Sequence, residues 1–199
     1  MATDFGPTAL ATPANGITVA RLLAAPVLML LVVRYGTSWL TVAAWLVLAG
    51  TDGVDGWLAR RHGTTRSGAF LDPLADKFLV LAAMSGLVAI RRWWWVPVGL
   101  IASREIVISL YRSFVGRQGI SVPARPLAKL KTWVQDLAVG AALLPPWGDR
   151  HRGIATSLLW VAVAMTLFTG AQYLVDGRRI RLSQREPATT GGGRTADAV

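Results

Sequence analysis

Apolar residues occupy six blocks of this chain, near 17–35, 39–60, 68–90, 95–113, 128–146 and 154–175. Several approach the ~20 residues that a helix needs to cross a bilayer. The pattern predicts an all-α integral membrane protein of six transmembrane helices. One block differs from the rest. Its apolar part, WLTVAAWLVLAGT at 39–51, is too short to span alone, so its helix is expected to continue through polar positions to about Arg60. Gly63–Thr64–Thr65 then reads as a turn, and the next helix starts near Gly68. Little chain is left over. The expected organisation is a short tail over 1–12, a membrane domain over 13–176, and a basic tail over 177–199 that reads as disordered from about 183.

Composition agrees with lipid as the solvent. Of 199 residues, 53% are hydrophobic, and the mean hydropathy is +0.44. The first block lacks a basic flank and a cleavage site, so it reads as a span and not as a removed signal peptide. Cysteine is absent, which excludes disulfides, thiol catalysis and cysteine-bound metal. The net charge of +10 is unevenly placed. With the N-terminus inside, the inner segments carry thirteen Lys or Arg and the outer loops five: Arg34, Arg91, Arg92, Arg150 and Arg152. That bias puts both termini in the cytoplasm and argues for anionic lipid and anionic soluble substrates over nucleic acid. Arg91 and Arg92, beside Trp93–Trp94–Trp95, run against it; an interfacial aromatic anchor tolerates them.

The candidate chemistry lies in DGVDGWLARRHGTTRSGAFLDPLAD, residues 52–76. Spacings of three (Asp52, Asp55) and four (Asp72, Asp76) keep each pair on one helical face. Asp52 and Asp76 are each eight residues from the turn end of their helices, taken as Arg60 and Gly68, so an antiparallel hairpin brings them to one depth. Four facing carboxylates beside hydrocarbon need protonation, cationic partners or metal. A single intramembrane Asp often serves packing; four in register with Gly56 and Gly68 point to a site. Oxygen-only ligation favours a hard ion, Mg²⁺ or Mn²⁺, and two bridged ions would suit phosphoryl transfer.

Read as D-x-x-D-G-x-x-A-R-x7-G-x-x-x-D-x-x-x-D through Asp52, Asp55, Gly56, Ala59, Arg60, Gly68, Asp72 and Asp76, this stretch resembles the signature of the CDP-alcohol phosphatidyltransferases at every position. The resemblance covers about residues 13 to 176 and implies that family's six-helix fold. It implies transfer of a phosphatidyl group from a CDP-linked lipid to an alcohol, with release of CMP. By position, Asp52, Asp55, Asp72 and Asp76 would ligate two Mg²⁺ or Mn²⁺ ions, and Asp76 would also take the acceptor's proton. Gly56, Ala59, Arg60 and Gly68 would line the cytidine-diphosphate pocket, helped by Thr65, Asn15 and Thr18. The resemblance also implies a homodimer in the bacterial inner membrane, with the active site facing the cytoplasm. No covalent nucleophile is evident, which favours direct attack.

The acceptor is read from residues 103–136. Arg104 lies inside an apolar helix beside Glu105, and Arg112 follows two turns later. A buried guanidinium needs a partner, and Glu105 is expected to point about 100° away, which makes a substrate phosphate a candidate. Lys129 and Lys131 extend this acceptor-phosphate set. Within the family, DPLADK (72–77), REIVIS (104–109) and KLKTWVQ (129–135) resemble phosphatidylglycerophosphate synthases, which implies CDP-diacylglycerol and sn-glycerol 3-phosphate as substrates. The same-fold alternatives are a cardiolipin synthase accepting phosphatidylglycerol and a phosphatidylinositol-phosphate synthase. From another class, a divalent-cation transporter would need polar residues continuing into the outer halves of other spans, or inverted broken helices, and neither is visible.

Overall fold

The computed structural model of the chain describes residues 13–62, 66–117, 126–145 and 152–183; the side chains of 13–15, 52–62, 66–73 and 177–183, and several flanking the 118–125 segment, lie outside the description. These residues form α1 (Pro13–Tyr35), α2 (Trp39–His62), α3 (Arg66–Ala89), α4 (Trp95–Arg117), α5 (Pro126–Leu143) and α6 (Arg152–Ser183). The continuation of α2 through the aspartates is present, and Asp72 and Asp76 fall inside α3. Most ends fall two to four residues from the sequence reading, and α5 and α6 differ most tellingly. α5 begins with Pro126 at its first position and stops at Leu143, two residues before Pro145, which has no N–H to carry the ladder on. α6 stays helical to Ser183, past the 176 boundary, so Arg178, Arg179 and Arg181 prolong a helix.

α3 is the hub, touching α1, α2, α4 and α5, while α6 packs against α4 and α5. The broadest contact is α1 on α3. On α1 the buried positions Thr18, Arg21, Ala25, Leu28 and Val32 recur at alternating steps of three and four, one stripe of a helix. Opposite them Gly86 permits the closest approach: a Cβ there would sit 2.9 Å from Val32 Cβ. Outward positions such as Leu23, Val27, Leu46, Phe78, Val107 and Trp133 are exposed and apolar. Such a belt would be a liability in water and is the ordinary outer surface of a bundle in lipid. Among the described residues, Gly16–Tyr35 and Arg152–Asp176 are long and apolar enough to cross a membrane by themselves.

The connections are set by local hydrogen bonds. Gly36, at φ +60°, caps α1 by donating its N–H to Val32 O at 2.9 Å. Ser38 and Thr41 form a reciprocal cap on α2: Thr41 N–H donates to Ser38 Oγ at 3.3 Å, and Ser38 N–H donates to Thr41 Oγ1 at 3.0 Å. At the end of α3, Arg91 N–H donates to Val88 O and Arg92 N–H to Leu87 O, both at 2.9 Å. This is a Schellman cap, and its left-handed residue is Arg91 at φ 56°, where glycine is usual. A residue with a Cβ gives up about 1–2 kcal/mol in that conformation.

Candidate active site

One guanidinium organises the hairpin. Arg21 is only 2% exposed. Its Nη1 donates to Asp76 Oδ1, forming an ion pair, and its Nε donates to Thr51 Oγ1 at 3.3 Å. Thr51 precedes Asp52, so Arg21 ties α2 and α3 together at the level where the outermost aspartates of the motif begin and end. The sequence reading overlooked Arg21. The signal was a lone arginine one turn after Thr18 in an apolar block, which calls for a carboxylate partner on a neighbouring helix. Thr18 is buried on the same face of α1.

Of the four aspartates, Asp76 alone has a described side chain, and it is 33% exposed. Asp52, Asp55, Gly56, Ala59, Arg60, Gly68 and Asp72 lie on described helical backbone with side chains outside the description, as does Asn15; Thr65 lies outside the described residues altogether. Among the described residues no three acidic or histidine side chains gather into a metal cluster. The donor chemistry of the one ligand candidate in view, a carboxylate at a cavity wall, suits a hard divalent cation.

Beside Asp76, a cavity of about 160 Å³ opens between α3, α4 and α5. Its polar wall comprises Asp76, Lys77, Glu105, Lys131, Thr132 and Gln135; Val80, Leu81 and Ile101 close it. Glu105 is the centre of the charge arrangement. Its Oε1 accepts from Arg104 Nη1 at 3.0 Å and from Lys131 Nζ. Lys77 Nζ lies 3.2 Å from Oε2 and donates to Ser109 Oγ at 2.7 Å. One carboxylate thus faces three cations, of which Lys77 and Lys131 line the cavity and Arg104 lies behind it.

The arginine expected to meet substrate is occupied elsewhere. Arg104 Nε donates to Thr166 O at 3.0 Å, Nη2 donates to Thr169 Oγ1 at 3.1 Å, and Nη1 reaches Glu105. The 100° divergence between neighbouring side chains does not separate them, because the arginine stem is long enough to fold back. Gly170 makes room for it: a Cβ there would stand 3.0 Å from Arg104 Nε. Arg104 therefore fixes Glu105 and joins α4 to α6. Gln135 Nε2, donating to Thr166 Oγ1 at 3.1 Å, joins α5 to the same network. Lys131 is brought to the cavity, buried, whereas Arg112 is exposed and does not line it. The Lys129 side chain is outside the description. Lys77, which the sequence reading passed over, takes a place in the wall.

The model of the CDP-alcohol phosphatidyltransferase family matches residues 11–168. The chain belongs to the CDP-alcohol phosphatidyltransferase family. It is a transferase, and the aspartate hairpin and the cavity beside Asp76 both fall inside the matched region. A Mycobacterium tuberculosis protein named "Probable phosphatidylglycerophosphate synthase" is 40% identical over 178 residues, covering 85% of this chain and 83% of that protein. The Escherichia coli K12 protein named CDP-diacylglycerol–glycerol-3-phosphate 3-phosphatidyltransferase is 38% identical over 178 residues, covering 84% of this chain and 96% of its own length.

Proposed function

We propose that this phosphatidyltransferase moves the phosphatidyl group of CDP-diacylglycerol to sn-glycerol 3-phosphate, giving phosphatidylglycerophosphate and CMP. The observation that carries the acceptor is the cavity beside Asp76, whose wall brings two lysine ammonium groups, Lys77 and Lys131, together within reach of that carboxylate. A phosphate dianion is the complementary guest, and charge-assisted hydrogen bonds from the lysines would hold it. The names of the two relatives support the same acceptor.

Asp52, Asp55, Asp72 and Asp76 would hold two Mg²⁺ or Mn²⁺ ions. When bound, these ions would neutralise the diphosphate and stabilise departing CMP. The chain's own residues do the rest. Lys77 and Lys131 anchor the acceptor phosphate with its free hydroxyl toward Asp76, while Arg104 acts through Glu105 to position both lysines. Arg21 orients the Asp76 carboxylate, which takes the hydroxyl proton as the acceptor oxygen attacks the phosphorus bearing diacylglycerol. That P–O bond forms as the bond to CMP breaks, without a covalent enzyme intermediate. Asn15, Thr18, Gly56, Ala59, Arg60, Thr65 and Gly68 would receive the CDP moiety, and Lys129 and Arg112 would draw the acceptor in from the cytoplasm.

Six spans with both termini cytoplasmic, in a bacterial inner-membrane homodimer, complete the proposal. The inner bias of Lys and Arg and the apolar outer belt support the membrane topology. The test is CMP release by solubilised protein given CDP-diacylglycerol and one acceptor at a time, with and without EDTA. Glycerol 3-phosphate should support metal-dependent release, whereas phosphatidylglycerol and inositol phosphate should support little. Preferential use of phosphatidylglycerol would make the chain a cardiolipin synthase.

A further inference from the structure

A second pocket, an open groove, lies at the far end of α3, where the chain turns into α4, roughly 20 Å from Asp76 at 1.5 Å rise per residue. The groove has a volume of about 450 Å³ and is lined by Arg91, Arg92, Arg152 and the tryptophans at 93–95, over Val88. Nothing in the transferase chemistry uses it. Its composition is nonetheless selective, with three arginines and, among the described lining residues, no acid.

Two structural features bear on the arginines. Arg152 Nη2 donates to Arg91 O at 2.6 Å and to Arg92 O at 3.1 Å, so its guanidinium is fixed against the turn. Arg91 occupies the left-handed position of the Schellman cap at φ 56°, a site that favours glycine. A side chain kept at a strained position is an indication that the side chain itself has a use. The tryptophans supply the other half of the site. Trp93 is buried, while Trp94 and Trp95 are exposed and meet edge to face with centroids 6.4 Å apart. Exposed tryptophans beside arginines at a helix start mark the level where acyl chains give way to headgroups.

We propose that this turn binds the phosphodiester of an anionic glycerophospholipid, such as phosphatidylglycerol, in the leaflet opposite the active site. Guanidinium groups pair with phosphate oxygens, and the indoles cover the glycerol and first acyl carbons. Among the described lining residues the charged ones are all cations, which favours a lipid of net negative charge over a zwitterionic one. The choice of leaflet rests on the six-span reading; the site itself does not.

The experiment is native mass spectrometry of the full chain in neutral detergent, titrated with phosphatidylglycerol or phosphatidylcholine. The variants are Arg91→Gly, which removes one cation and relieves the strained cap, and Arg91→Gly/Arg92→Gln. Phosphatidylglycerol should bind the wild type more tightly than phosphatidylcholine. Arg91→Gly should weaken phosphatidylglycerol about 10-fold, the size of one lost charge-assisted hydrogen bond, and leave phosphatidylcholine unchanged. The same variant should melt no lower than wild type and release CMP at the wild-type rate, which separates lipid binding from folding and from catalysis. Equal affinity for the two lipids, or undiminished phosphatidylglycerol binding in both variants, would overturn the proposal. Competition by millimolar inorganic phosphate would also overturn it, by reassigning the groove to soluble anions. Because the chain has no native cysteine, Trp94→Cys labelling by an impermeant maleimide in intact cells tests the leaflet. Labelling only after permeabilisation would overturn that assignment.

Discussion

Replacing Lys77 by Met should cripple recognition of the acceptor and spare that of the lipid donor. Lys77 Nζ contacts Glu105 Oε2 at 3.2 Å and Ser109 Oγ at 2.7 Å, at the wall of the cavity beside Asp76. Its removal leaves Glu105 still bonded through Oε1 to Arg104 and Lys131, so the buried carboxylate keeps its counter-charges. The loss is then mainly the bond to substrate phosphate. A hydrogen bond to a charged group is worth about 1.5–3 kcal/mol. The Lys77 side chain is 36% exposed, so screening favours the lower part of that range. About 1.5–2 kcal/mol corresponds to a roughly 10- to 30-fold fall in kcat/KM for glycerol 3-phosphate. The assay is steady-state CMP release with each substrate titrated in turn. KM for CDP-diacylglycerol should move by less than about 3-fold, since uniform binding lost at one subsite need not touch the other. Lys77→Arg should recover part of the loss. Equal penalties for both substrates would refute the assignment of this cavity to the acceptor.

Asp76→Asn should lower turnover by at least ~100-fold, the lower end for a positioned general base, with CDP-diacylglycerol binding measured separately by equilibrium titration. Near-normal turnover would remove Asp76 from the proton transfer. Glu105→Gln leaves Lys77, Arg104 and Lys131 facing one another, and thermal unfolding in detergent should show a loss of about 3 kcal/mol, as for other broken buried pairs. Adding Lys131→Met should restore part of it. Gly86→Ala forces a Cβ to within 2.9 Å of Val32 Cβ. Overpacking at that α1–α3 crossing should cost about 1–3 kcal/mol by the same unfolding measurement.

The helices were legible because apolar blocks and Gly/Pro breaks are local properties of the chain. The continuation of α2 past Thr51 was legible from length alone: a 39–51 helix could not cross a bilayer. The family was legible from the spacing of Asp52, Asp55, Asp72 and Asp76, since the match over residues 11–168 includes that hairpin. What escaped were partnerships between distant helices. Arg21 finds Asp76 across 55 residues, and no spacing rule links them. Arg104 was read as a phosphate ligand because its α6 partners, Thr166 and Thr169, come more than 60 residues later. Lys77 follows Asp76 directly and so points about 100° away from it; only the packing of α4 and α5 on α3 shows that this direction leads to Glu105 and the cavity. The cap at Arg91 was hidden for another reason. The residue type argues against a left-handed conformation, which the bonds to Leu87 and Val88 impose.

The most direct test of the account is an experimental structure of the full chain with Mn²⁺ and glycerol 3-phosphate, using the manganese anomalous signal to place the ions. The account predicts manganese peaks in contact with Asp52, Asp55, Asp72 and Asp76, and the acceptor phosphate within hydrogen-bond reach of Lys77 and Lys131. Manganese bound away from these aspartates, or a phosphate seated outside the cavity between α3, α4 and α5, would contradict it.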